Sequence, residues 1–200
     1  MVFEDEETYI GHDKSYEMKK WIKRVLRSLR GELDIDKLKR RGLKIGRNCT
    51  IMGGVIIDPS HCWHITIGNN VTLAPNVHVL AHDASTKVFL NHTRVANTKL
   101  GDNVFVGAGT IVLPGVTIGS NVVIGAGSVV SKDIPDDSVA VGNPARVVKP
   151  LKAFLEEHEQ RMKPGNVFDE RYTLRNPSFG DIERKALLEA YEKHGEVYVE

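Results

Sequence analysis

Eight histidines carry most of the reactive chemistry in this 200-residue chain, and five of them fall in one stretch: His61, His64, His78, His82 and His92. His12, His158 and His194 lie well away from it. Imidazole takes and returns a proton near neutral pH, so one well-placed histidine suffices as a general base toward a hydroxyl or amine. The close pairs His61/His64 and His78/His82 would also suit a zinc site with an open position. Asp83 directly follows His82, but neighbours in an extended strand point apart, which suits Asp83 to the adjoining loop better than to the imidazole. Cys49 and Cys62 are the only cysteines. They allow no disulfide framework or Cys-rich metal site, and neither stands in a nucleophile signature.

What must position these side chains is a repeat. From Ile45 the chain reads in sixes, IGRNCT, IMGGVI, IDPSHC, and after a short slip resumes at Ile67 with IGNNVT, LAPNVH, VLAHDA. From Leu100 it runs LGDNVF, VGAGTI, VLPGVT, IGSNVV, IGAGSV, VSKDIP, with no slip expected before Pro135. Each hexad opens on an aliphatic residue. The physical reading is a triangular coil of three six-residue flats, with Leu100 under Ile118, Val106 under Ile124 and Val112 under Val130. Such a coil buries its inward row only against a neighbouring coil, which makes the fold a one-dimensional solenoid. Asn69–Asn70, Asn103 and Asn121 stand where the corners need tight turns, and Asn tolerates positive φ there.

The repeat divides the chain into residues 1–44, 45–149 and 150–200. Within 15–30, Met18, Trp21, Ile22, Val25, Leu26 and Leu29 share one helical face opposite Lys and Arg, which suits a cap over the first coil or contact with an anionic membrane surface. The net charge of +1 hides a strong asymmetry: residues 1–13 carry −5, 14–47 carry +9, 48–149 balance and 150–200 carry −3. Residues 85–98 break the period just after His82 and read as an extruded loop, of the kind that lines sites. After Pro135 the chain is expected to leave the coil, and 151–162 and 181–193 read as short helices. The opening MVFEDEETYI is no signal peptide and no apolar run reaches a membrane span, so the cytoplasm is the expected compartment. Nothing points to nucleic acid.

The stretch ITIGNNVTLAPNVHVLAHD, followed by LGDNVFVGAGTIVLPGVTIGSNVVIGAGSVVSKDIPDDSVAVGNPARVVK, closely resembles the hexapeptide-repeat acetyltransferases. Among them it looks most like the galactoside and maltose O-acetyltransferases and the sugar and polysaccharide O-acetyltransferases. The resemblance covers about residues 45–149. It implies a left-handed parallel β-helix of about four coils, a homotrimer with sites between subunits, acetyl-CoA as co-substrate with no metal, and a sugar or polysaccharide acceptor. It implies His82 as the base; periodicity alone does not separate His82 from the other histidines. It also implies Ala108 and Ala126 along the pantetheine, Ser131 and Lys132 near the adenosine, and Arg146 and Lys149 near the ribose phosphate. His61, His64, Asp83 and Phe105 are the candidates for the acceptor side. There the pattern departs from the galactoside and maltose enzymes: Ile51, Met52 and Gly53 replace an Asn-Phe-Asn run, and Phe105 replaces a Trp. Two other readings stay open, a zinc lyase like the γ-type carbonic anhydrases and a scaffold without catalysis.

Overall fold

The computed structural model describes residues 33–200; the amphipathic stretch expected over 15–30, and His12, lie outside the described residues. Short parallel strands stack into three faces. One face holds Lys44–Ile45, Ile65–Ile67, Thr98–Leu100 and Thr117–Ile118. The second holds Thr50–Ile51, Thr72–Leu73, Val104–Val106 and Val122–Ile124, and the third Ile56–Ile57, His78–Val79, Ile111–Val112 and Val129–Val130. Leu100 pairs with Ile118, Val106 with Ile124 and Val112 with Val130, the stacking that the hexads require. Ile57, Ile65, Ile67, Leu73, Val106 and Ile124 are fully buried in the column this creates. Each coil thus removes its neighbour's aliphatic row from water, at about 25 cal/mol per Å² of apolar surface.

The edge between the first and second faces is a ladder. Asn48, Asn70, Asn103, Asn121 and Asp137 all adopt left-handed backbone, with φ of 55°, 55°, 55°, 57° and 53°. Each asparagine amide donates to the side-chain oxygen of the next, at 3.2, 2.9, 2.9 and 2.9 Å. Beside the ladder the coils touch backbone to backbone: a Cβ on Gly68 would stand 2.5 Å from the Gly101 carbonyl oxygen. The second edge is built by turns in which Gly54, Asn76, Gly109 and Gly127 take positive φ. The third edge carries His82.

The upper end departs from the repeat in two ways. The hexad expected over 130–135 is two residues short, because Ile134 bridges to Ile118 while the Asp133 carboxylate accepts from the Thr117 N–H at 2.7 Å. The coil also does not end at Pro135. Ser138–Val141 adds another parallel strand on Val122–Ile124, because Ser138, Val139 and Ala140 are small or β-branched and fit the buried row. Arg146–Pro150 then turns back antiparallel along it. Helices follow at Leu151–Arg161 and Asp181–His194. At the lower end, helix Ile35–Arg40 and the turn after it bury Leu38 and Leu43 against the first coil. No helix among the described residues is long and apolar enough to cross a membrane.

Candidate active site

The third edge differs in every coil. In the first coil the strand Ile56–Ile57 runs into Asp58 and the 3₁₀ turn Cys62–His64. In the second, Val79 leads to Ala81 and to the extruded loop, which is an antiparallel ribbon pairing His82 with Val95 and Asp83 with Arg94, with a short helix at Lys87–Leu90. The loop is tied down at its base. Ala96 N–H donates to the Ala81 carbonyl at 3.0 Å, Thr98 Oγ1 to the Leu80 carbonyl at 2.7 Å, and Arg94 reaches the Pro114 carbonyl at 3.1 Å. His82 is therefore held by a rigid corner although it begins a loop.

Sequence reasoning missed Asp58. Its side chain is buried, and one oxygen, Oδ2, accepts from Ala81 N–H at 3.0 Å and pairs with His82 Nδ1. The other, Oδ1, accepts from the N–H groups of Ser60 and His61 at 3.0 and 3.2 Å. Burial pushes the carboxyl upward, but the hydrogen bonds from His82, Ala81 and Ser60, together with the His82 charge, outweigh it and hold its pKa below the ordinary value. Asp58 is thus an anion fixed behind the imidazole. With Nδ1 engaged by the carboxylate, Nε2 is the nitrogen left to meet an acceptor, and the side chain is about one-third exposed. A signal was present: hexads from Ile45 onward mostly carry Gly, Ala or another modest residue in second place, whereas IDPSHC places a carboxylate there.

The other candidates spread out. His61 packs its ring 4.9 Å from that of His82. Its Nδ1 is buried, and it is the one such side-chain atom without a protein partner among the described residues. His64 turns away and pairs through Nδ1 with Asn97 Oδ1 at 2.8 Å. Asp83 is exposed and accepts from the Ser85 N–H at 2.8 Å, and that bond, ahead of Arg94, lowers its pKa. His78 stands half-buried on the third face, and Phe105 is exposed on the second. Asp58, His61 and His82 could bring three ligand atoms within 4.8 Å of one another. Four donors already occupy the Asp58 carboxylate, about its full acceptor capacity, so a cation there would have to break the hold on His82. Within the single chain, His61, His64, His78 and His82 do not bring three imidazoles together.

The residues expected along the donor lie on two edges. Ala108 and Ala126 are exposed at stacked turns of the second edge, where Gly127 N–H donates to the Ala108 carbonyl at 2.8 Å. Arg146 sits at the upper end, just after Ala145, whose N–H donates to the Val129 carbonyl at 2.8 Å. Ser131 and Lys132 are exposed on the third edge, above the His82 corner. Lys149 is already engaged: its ammonium donates to both Glu157 oxygens at 2.6 and 2.8 Å.

Residues 97–132 match the model of the bacterial transferase hexapeptide (six repeats). Protein CapG of Staphylococcus aureus is 38% identical over 140 residues, covering 66% of this chain and 80% of that protein. Galactoside O-acetyltransferase of Lactococcus lactis is 34% identical over 145 residues, covering 60% of this chain and 69% of that protein. The chain belongs to the hexapeptide-repeat acetyltransferases. Its coil is the left-handed β-helix of that family, and it is an acyltransferase. A hexapeptide-repeat acetyltransferase of Vibrio cholerae, solved in complex with acetyl coenzyme A, superposes with a TM-score of 0.50 at 28% identity, over 56% of this chain and 61% of that one.

Proposed function

We propose that the chain moves an acetyl group from acetyl-CoA to a hydroxyl of a sugar or polysaccharide precursor, with His82 as general base. The observation that carries this reading is the Asp58–His82 pair: a buried carboxylate on Nδ1 selects the tautomer whose Nε2 is free to accept a proton. The acceptor hydroxyl gives its proton to Nε2 as its oxygen attacks the thioester carbonyl. The C–S bond then breaks, and the CoA thiolate, whose thiol has a pKa of about 8.5, leaves without a strong acid and recovers a proton. Asp58 stabilises the imidazolium that forms in between. Ala108 and Ala126 would lie along the pantetheine, with Ser131 and Lys132 toward the adenosine and Arg146 and Lys149 toward the ribose phosphate. The Lactococcus lactis relative, named as a galactoside O-acetyltransferase, favours a glycan acceptor.

A homotrimer is part of the proposal. His82 stands on one edge of the triangular coil and Ala108 and Ala126 on another, so the edge of one copy would complete the other. Val88, Phe89 and Leu90 on the loop beside His82 are 86%, 85% and 65% exposed in the single chain, as expected of side chains that a neighbour covers. The cytoplasm is the proposed setting, in keeping with two free cysteines. The test is release of CoA thiol from acetyl-CoA with and without candidate glycans, run on the parent and on His82→Ala. Glycan-dependent release lost in the variant supports the reading; equal rates overturn His82 as the base.

A further inference from the structure

Trp63 is a large aromatic side chain left open beside the His82 corner. It sits in the 3₁₀ turn Cys62–His64 and is 48% exposed. Its ring lies 5.4 Å from that of His61, which in turn lies 4.9 Å from that of His82. The His64 ring lies 6.0 Å from it and is fixed by Asn97. Gly42 backs the base of the side chain: a Cβ there would stand 2.8 Å from Trp63 Cβ. The side chain is therefore seated at its base, has two imidazoles near its ring, and still turns about half its surface to solvent. An indole loses hydrophobic stabilisation in such a place unless something covers it.

We infer that Trp63 is the platform for the acceptor, stacking on the C–H face of a neutral hexopyranose whose hydroxyl edge then points along His61 to His82. This rests on the sugar-transfer reading above. Ligand sites combine aromatic walls with a few convergent polar groups, and the strip Trp63–His61–His82 has that composition. The unpartnered Nδ1 of His61 offers a hydrogen-bonding position beside the base, and a buried polar atom left without a partner is costly. Charge within the strip itself favours an uncharged sugar: residues 48–86, which carry Trp63, His61 and His82, hold no Lys or Arg, and an aromatic face stacks on C–H groups rather than on a carboxylate. A flat, rigid side chain also loses little entropy on binding.

Two measurements test this. The chain has two tryptophans, Trp21 and Trp63, so in the Trp21→Phe protein the emission reports Trp63 alone. Titration with methyl hexopyranosides and N-acetylhexosaminides is expected to shift it saturably without acetyl-CoA, and with sialic acid or glucuronate at the same concentrations it is not. In steady-state kinetics Trp63→Ala is expected to raise the KM for the accepted glycoside about tenfold, with the KM for acetyl-CoA changed less than about twofold, and Trp63→Phe to recover part of the loss. A wild-type protein that acetylates a glycan while Trp63→Ala keeps the same acceptor KM, or an emission change only with acidic sugars, overturns the platform. Acetylation of amines alone, with no glycan used, overturns the sugar reading itself and is distinguished by its product.

Discussion

Two edges of the same coil follow opposite rules. Along the ladder edge every coil repeats one solution: a left-handed Asn or Asp whose side chain bonds its counterpart above and below. Along the His82 edge no two coils agree. One carries Asp58 and a 3₁₀ turn, the next His82 and the pinned loop, the next the Leu113–Pro114–Gly115 turn, and the next Ser131–Lys132. In a solenoid each coil contacts only its neighbours, so an edge can be spent on irregular residues while the other two hold the stack. Stability resides where the repeat is kept, and the proposed chemistry lies where it is broken.

That contrast predicts activity losses with little unfolding on one edge and the reverse on the other. The largest effect is expected from His82→Ala: a fall in kcat of about 10³-fold, the usual scale for losing a general base, with thermal unfolding near that of the parent. Asp58→Asn is expected to lower kcat about 10²-fold, because the amide no longer fixes the tautomer or stabilises the imidazolium, and to leave the KM for acetyl-CoA nearly unchanged. The same variant tests the pH dependence. Asp58 is held below its ordinary pKa, so its contribution to stability is complete above about pH 4 and is lost as pH falls through the lowered value. Acid unfolding of Asp58→Asn should therefore be less steep than that of the parent in that range. If the two curves coincide, Asp58 is not the anion described.

On the ladder edge, Asn103→Ala loses two side-chain hydrogen bonds and keeps a left-handed φ of 55° that alanine disfavours. A cost of about 2 kcal/mol follows, seen as a Tm lower by about 4–8 °C, with kcat unchanged. A drop in kcat larger than the drop in folded fraction would break the division between the edges. The smallest effect is expected from Glu157→Gln. Freeing the Lys149 ammonium from a half-buried ion pair should lower the KM for acetyl-CoA by about two- to threefold at low salt, and less at high salt.

The ladder and the buried column were legible in the sequence because they are periodic: Leu100, Val106 and Val112 announce their partners by spacing alone. The His82 corner was legible only in part. The loop after it could be located, since 85–98 interrupts the hexads, but the partner of His82 could not, because Asp58 lies one coil away and only the stacking brings it near. Asp83, the neighbour in sequence, is turned out to solvent. The extra strand Ser138–Val141 was hidden for another reason, since Pro135, Gly142 and Pro144 punctuate it like a loop while its buried Ser138 and Ala140 behave as core. The resemblance assigns Lys149 to the phosphate end of the donor, and its ion pair to Glu157 comes from a helix beyond the repeat.

The reversed strand Arg146–Pro150 has a consequence for growth. A stack of parallel flats is open-ended, and a bare final strand is a template on which another chain can add indefinitely. Here the last parallel strand is occupied by a segment running the other way, and the first coil is covered by Leu38 and Leu43. On the face that Arg146–Pro150 joins, the outermost strand now runs the wrong way for another coil to be added in parallel register.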